Sequence, residues 1–196
     1  MIPMGFVTIN ILDILKEDGG EEALKTLFSS FSCPLNAEIM DFLSRSAIPF
    51  AQKNLAITHF MFDEDSFALL GFYTLATKAI EINSSSISSK SLRKKLEQRF
   101  QLDERGNYVC PCYLIAQLSK NYANGINERI TGEQLLNDAF AKLKAVQKDV
   151  GGSFVYIECE DKEKLIDVYH GYRFDDVDER QSKEGVLYKR MIRKLS

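Results

Sequence analysis

The sequence predicts a mixed α/β fold, and three observations carry that expectation. Two β-rich runs, residues 56–62 and 69–82, flank the acidic turn Asp63-Glu64-Asp65-Ser66 in the pattern of an antiparallel hairpin. Residues 131–150 have helical spacing, with Leu135, Leu136, Ala139, Phe140, Leu143 and Val146 on one face. Strand-like runs lie on both sides of that helix, 108–119 before it and 153–159 after it, as in units that lay helices on a sheet.

The remaining elements follow in chain order. Residues 6–12, rich in Val, Ile and Thr, read as a first strand or a lead-in, and residues 1–35 as a whole are the least defined part. Residues 21–28 place Ala23, Leu24, Leu27 and Phe28 at helical spacing. Asn36 is suited to cap a helix running to about Lys53, with Ile39, Phe42, Leu43 and Ala47 in a stripe and a kink at Pro49. Residues 88–100 set Lys90, Arg93, Lys94, Lys95 and Arg99 around Leu92 and Leu96, an amphipathic helix with a basic face. Gly151-Gly152 ends the long helix. Asp161 is expected to cap a helix to about His170, and residues 186–192 form a last strand.

A chain of 196 residues, 45% hydrophobic, can bury one substantial core, so a single domain over residues 1–196 is expected. The formal charge of −3 argues against indiscriminate coating of nucleic acid, which needs clustered Lys and Arg. Residues 1–15 lack the basic segment of a signal peptide, and the longest apolar run, 67–76, is too short to span a bilayer. Four cysteines in such a chain fit reduced thiols in the cytoplasm. Cys110-Pro111-Cys112 lacks the second ligand pair and the wider spacing that zinc wants, and Cys159 with His170 has no activating surroundings.

Chemistry is most legible around residue 131. A helix start offers unpaired backbone N–H groups and a positive dipole end to an anion. Thr131-Gly132-Glu133-Gln134 has the form of a capping box, and Gly132 leaves room for a ligand to come close to the backbone.

From Ile115-Ala116-Gln117-Leu118-Ser119 through Asn127-Glu128-Arg129-Ile130-Thr131-Gly132-Glu133-Gln134-Leu135-Leu136, the chain resembles the central motif of the GNAT superfamily of N-acetyltransferases. That motif is a splayed strand, then Gln/Arg-x-x-Gly-x-Gly/Ala, then a helix. With Gly132 at the sixth position, Asn127 stands at the first and Ile130 at the fourth, two departures from the pattern. A second segment, Phe154 to Cys159 followed by Lys164-Leu165-Ile166-Asp167-Val168-Tyr169 and Phe174, is similar to the family's late strand, helix and Phe-Tyr-x-x-x-Gly-Phe end, with Val168 for Phe and Arg173 for Gly. A third, Gly71-Phe72-Tyr73-Thr74-Leu75-Ala76, resembles the branch that includes toxins acetylating the amino group of aminoacyl-tRNA, and the spacing from Pro111 to Leu118 agrees.

The resemblance implies a mixed central sheet with a splayed central strand and flanking helices, acetyl-CoA as co-substrate, an amine acceptor and no metal. It implies that backbone N–H groups near Leu118 and Lys120 hold the pantetheine arm and polarise the thioester. It also implies that Asn127, Arg129, Ile130, Thr131 and Gly132 meet the pyrophosphate, and that Tyr169 protonates the leaving thiolate. The residues assign no general base: Glu81, Glu158 and His59 are ionisable groups on or beside strands without a motif. Three functions share these features. The first is acetyl transfer to a small molecule or protein, the second a toxin acting on aminoacyl-tRNA, the third a non-catalytic acyl-CoA-binding regulator. The basic helix would serve tRNA, whereas the acidic span 158–184 opposes a broad RNA surface. A homodimer and an antitoxin partner stay open.

Overall fold

The computed structural model describes residues 5–182 and 185–195. In chain order the elements are β1 (Phe6–Asn10), α1 (Ile11–Leu15), α2 (Gly20–Ser29), α3 (Ala37–Arg45), α4 (Ala47–Gln52), β2 (Ile57–Asp63) and β3 (Leu69–Asn83). They continue with α5 (Lys90–Glu97), β4 (Asn107–Lys120), α6 (Gly132–Val150), β5 (Phe154–Glu160), α7 (Glu163–Gly171), β6 (Asp175–Gln181) and β7 (Leu187–Lys194). The strands form a seven-stranded mixed sheet in the order β1-β2-β3-β4-β5-β7-β6. Strands β4 and β5 run parallel, while β1 with β2, β2 with β3, β5 with β7 and β6 with β7 run antiparallel. By contacts, the described residues up to Ala76 group with Ile115–Lys142 in one unit, and Thr77–Leu114 groups with those from Leu143 onward in a second.

In the first unit the expected opening strand stops at Asn10, because the Asn10 carboxamide accepts from the Leu12 amide at 2.9 Å and starts α1. Asn36 caps α3 as expected, accepting from the Glu38 amide at 2.9 Å. The single helix expected over 36–53 is two, and the break falls at Ser46 rather than at Pro49. Pro49 is the third residue of α4, where its missing N–H is one that a helix start leaves unbonded anyway. These helices supply Ile11, Leu24, Phe28, Leu43 and Ala47, and the loop between α2 and α3 supplies Phe31, to a core completed by Phe60 of β2 and Phe72 of β3.

In the second unit, Ser89 caps α5 by accepting from the Leu92 amide at 3.1 Å. The helix is highly polar, yet Leu92 and Leu96 are fully buried with Ile80, Ile82, Cys110 and Tyr156. Each buried leucine contributes about 1.5–3 kcal/mol, enough to seat a short helix. The cap expected at Asp161 lies at Lys162, with no side-chain bond. Strand β6 was not legible in the sequence, since only Val177 of Asp175–Gln181 is buried and no apolar alternation exists. Its charges instead face β7: Glu179 takes the Lys189 ammonium at 2.6 Å, and Asp178 holds the Arg190 guanidinium. Such a charged strand also suits a sheet edge, where it discourages pairing with other chains.

Candidate functional site

The strand, loop and helix from β4 to α6 carry seven of the residues that the sequence singled out. Leu118 and Lys120 lie at the end of β4, half-buried. A short 3₁₀ segment, Ala123–Glu128, follows, in which Asn124 and Gly125 take left-handed backbone. Lys120 reaches back over it, donating to the Asn127 carbonyl at 3.0 Å, and so ties the strand end to the loop. Arg129 turns to the β2–β3 hairpin, 2.7 Å from the Asp63 carboxylate and 3.2 Å from the Ser66 hydroxyl. Its charge is thereby committed to a carboxylate. Ile130 is buried.

Helix α6 begins with the capping box that the sequence announced. The Thr131 amide donates to Gln134 Oε1 at 2.8 Å, and the Gln134 amide donates to Thr131 Oγ1 at 3.1 Å. Gly132 follows the cap directly, exposed, and a Cβ built on it would meet no atom within 4 Å. The helix start is therefore rigid and sterically open, the two conditions under which backbone N–H groups can meet a phosphate. The apolar face predicted for α6 is buried from Leu135 to Leu143, but Val146 is 44% exposed.

Tyr169 lies in the last turn of α7, in the second unit. Burial, with a smaller contribution from the nearby Cys159 thiol, pushes its phenol up to about 12, so it stays protonated throughout the physiological range.

No protein-family profile and no curated protein matches the chain in sequence. Solved structures do match. A tyrosine-to-phenylalanine mutant of KacT superposes with a TM-score of 0.64, covering 97% of this chain and 95% of its own at 17% identity. AtaT complexed with acetyl-methionyl-tRNAfMet gives 0.61 over 94% of each chain at 16% identity. AtaTR bound with AcCoA gives 0.62, covering 97% of this chain and 94% of the other at 14% identity. The chain has the GNAT fold.

The backbone itself closes the end of α7. The Phe174 amide donates to the Tyr169 carbonyl at 3.1 Å and the Arg173 amide to the His170 carbonyl at 2.8 Å, the paired bonds of a Schellman motif. Arg173 has φ +61, the left-handed position that such a cap reserves for glycine, and the Phe174 ring packs edge-on against Tyr169. Arg173 is thus the cap residue, an arginine in a position that favours glycine.

The three ionisable candidates separate clearly. Glu158 receives the Tyr156 hydroxyl, Lys78 at 3.0 Å and Arg180 at 2.8 Å, and these donors outweigh its burial and hold it down at about 2. That value is far below what a base working near neutral pH needs. His59 is buried and stacked on Tyr73 at 5.1 Å, and burial, reinforced by Lys142, lowers its pKa. Glu81 is exposed on β3, 3.9 Å from Arg105.

Sequence reasoning missed Asp63 and Asp138. The Asp138 carboxylate accepts from Tyr73 at 2.6 Å and from Thr8 at 2.9 Å. The only signal was a carboxylate beside the apolar face of the long helix. Among the described residues, no group of three or more His, Cys, Asp or Glu could hold a metal ion, and no helix is long and apolar enough to cross a membrane. All four cysteines are free and buried.

Proposed function

We propose that this chain is an acetyl-CoA-dependent N-acetyltransferase, acting as one domain over residues 1–196 in the cytoplasm. The observation that carries the reading is the self-bonded Thr131–Gln134 cap with the open face of Gly132 beside it, at the helix start that follows β4 in a GNAT fold. Acetyl-CoA supplies an activated thioester. The Ile130 and Gly132 amides take its pyrophosphate, with Thr131 and Asn127 shaping the loop and Arg129 strapping it to Asp63. Backbone N–H groups near Leu118 and Lys120 hold the pantetheine arm and polarise the carbonyl. A neutral amine attacks, the C–N bond forms and the C–S bond breaks. Tyr169 gives its proton to the departing sulfur, and the proton released by the acylated nitrogen passes to water, from which the phenol is reprotonated.

The acceptor we favour is the α-amine of an aminoacyl-tRNA, ahead of a small-molecule or protein amine. KacT and AtaT support it as fold neighbours, AtaT having been solved with acetyl-methionyl-tRNAfMet. Helix α5 and the turn after it support it as well: Lys95 is paired with Asp175 and Arg93 donates to the Ile87 carbonyl, while Lys90 and Lys94 of the helix and Arg99 just beyond it stay exposed.

Isothermal titration with acetyl-CoA, with desulfo-CoA and ATP as controls, tests the first part. Saturable binding lost on Gly132→Glu is the expected result, and because a Cβ there meets no protein atom within 4 Å, an unchanged thermal melt of the variant would assign the loss to the ligand and not to misfolding. Absence of binding at millimolar ligand would refute the reading. Acetylation of charged tRNA that weakens steeply with salt would support the acceptor, and turnover of simple amines alone would exclude it.

A further inference from the structure

Two contacts of the first unit seat the beginning of α6 on the sheet. At Gly71 of β3, an added Cβ would lie 3.0 Å from Leu135 Cδ1 and 2.7 Å from the Ser119 carbonyl oxygen, so only glycine lets Leu135 and β4 come this close. Two residues further along β3, the fully buried Tyr73 donates its hydroxyl to Asp138 at 2.6 Å. The same carboxylate oxygen accepts from Thr8 of β1 at 2.9 Å, and β1 and β3 flank β2 in the sheet. His59 of β2, stacked on the Tyr73 ring at an interplanar angle of 12°, fixes the ring that carries the donor.

Leu135 and Asp138 are three residues apart on α6, about 4.5 Å along its axis. Contacts at two heights fix a helix's direction, and one carboxylate bound to two strands also fixes its rotation. Gly132 is six residues before Asp138, about 9 Å up a stiff rod, so the Asp138 anchor sets where the first-turn amides lie. An apolar pair would pack a helix on a sheet as stably, but would not specify its rotation so sharply.

We propose that Tyr73 and Asp138 are positioning residues for acetyl-CoA, holding the N-terminus of α6 in register for the pyrophosphate. This rests on the acetyl-CoA reading above. It also gives the segment Gly71-Phe72-Tyr73 a role: Gly71 admits the helix and Tyr73 locks it.

The test is titration of acetyl-CoA into wild type, Tyr73→Phe, Asp138→Ala and Asp138→Asn, with amide hydrogen exchange read over the first two turns of α6. A charge-assisted hydrogen bond and the alignment it imposes predict a rise in Kd of about tenfold for Tyr73→Phe and Asp138→Ala. Asp138→Asn, which keeps a carbonyl acceptor for Tyr73, should restore affinity to within about twofold of wild type. Exchange should quicken in the first two turns of α6 in the two disrupted variants, with β2 and β3 unaffected. Wild-type Kd in Tyr73→Phe and Asp138→Ala, whatever their thermal stability, overturns the proposal. If wild type itself binds no acetyl-CoA, it is the acetyl-CoA reading that fails. Unchanged exchange in α6 would then overturn the seating of the helix as well.

Discussion

The Phe174 amide closes the end of α7 onto the Tyr169 carbonyl at 3.1 Å, and the two rings meet edge-on with centroids 5.6 Å apart. The residue between the two cap bonds, Arg173, sits at φ +61. A side chain in left-handed backbone costs about 1 kcal/mol relative to glycine. Arg173→Gly should therefore raise stability by about 1 kcal/mol, or Tm by about 2–4 °C for a chain of this size. Arg173→Ala, which keeps the Cβ, should not. Paired thermal melts decide it, and equal gains from both variants would place the effect in the charge beside Arg193 instead.

Tyr169→Phe should lower the acetyl-transfer rate by about 10²-fold or more while leaving the affinity for acetyl-CoA within about twofold. The Phe174 ring contact survives the change, so the fold should hold. With the phenol up at about 12, Tyr169 contributes no falling limb to the rate profile below about pH 11. A rate that ignores the substitution would remove Tyr169 from the chemistry.

Asp63, whose side chain is 3% exposed, takes the Ser66 hydroxyl at 2.6 Å, the Ser66 amide at 2.8 Å and the Arg129 guanidinium at 2.7 Å. In that order these donors draw its pKa below the ordinary carboxylate value. A depressed carboxylate stabilises fully above its unfolded pKa of about 4, and that stabilisation is lost as pH falls through the native value. Wild type should thus lose stability more steeply below pH 4 than Asp63→Asn does. At neutral pH, Asp63→Ala should lower Tm more than Arg129→Ala, because the arginine deletion leaves both Ser66 bonds in place. The reverse order in thermal melts would show that the Arg129 contact is the stronger constraint.

His59 has the opposite chemistry and the same direction of pH dependence. Its burial and Lys142 lower the native pKa, against weaker pulls from the Ile57 backbone, Asp138 and Asp13, and its buried Nδ1 has no hydrogen-bond partner among the described residues. The unfolded chain then binds a proton below about pH 6.5 that the folded one refuses, so stability declines as pH falls from 6.5, by up to about 1.4 kcal/mol per unit for one proton. His59→Phe, which keeps a ring against Tyr73, should flatten denaturant midpoints between pH 7 and pH 5. A slope as steep as wild type would assign the effect to another group.

Most elements were legible because they are written in local code. The capping residues Asn36 and Thr131, the Gly151-Gly152 stop, the period of α6 and the hairpin at Asp63 each act within a few residues. The Thr131–Gln134 box could be read for the same reason, and with it the open start of α6. Strand β6 could not, since its reasons to be a strand are charges on β7 rather than an apolar alternation of its own. The break at Ser46 was likewise misplaced, since a proline inside the first turn of a helix looks in sequence like a proline that kinks one. What only the tertiary structure decided are the partners of charges. Arg129 was free to face a phosphate until Asp63, 66 residues earlier, came within 2.7 Å. Glu158 was an available base until Tyr156, Lys78 and Arg180 converged on it, and Asp138 was unremarked until Thr8 and Tyr73 met it. Local propensity is a property of neighbouring residues, whereas the state of a carboxylate depends on which distant donors folding brings to it.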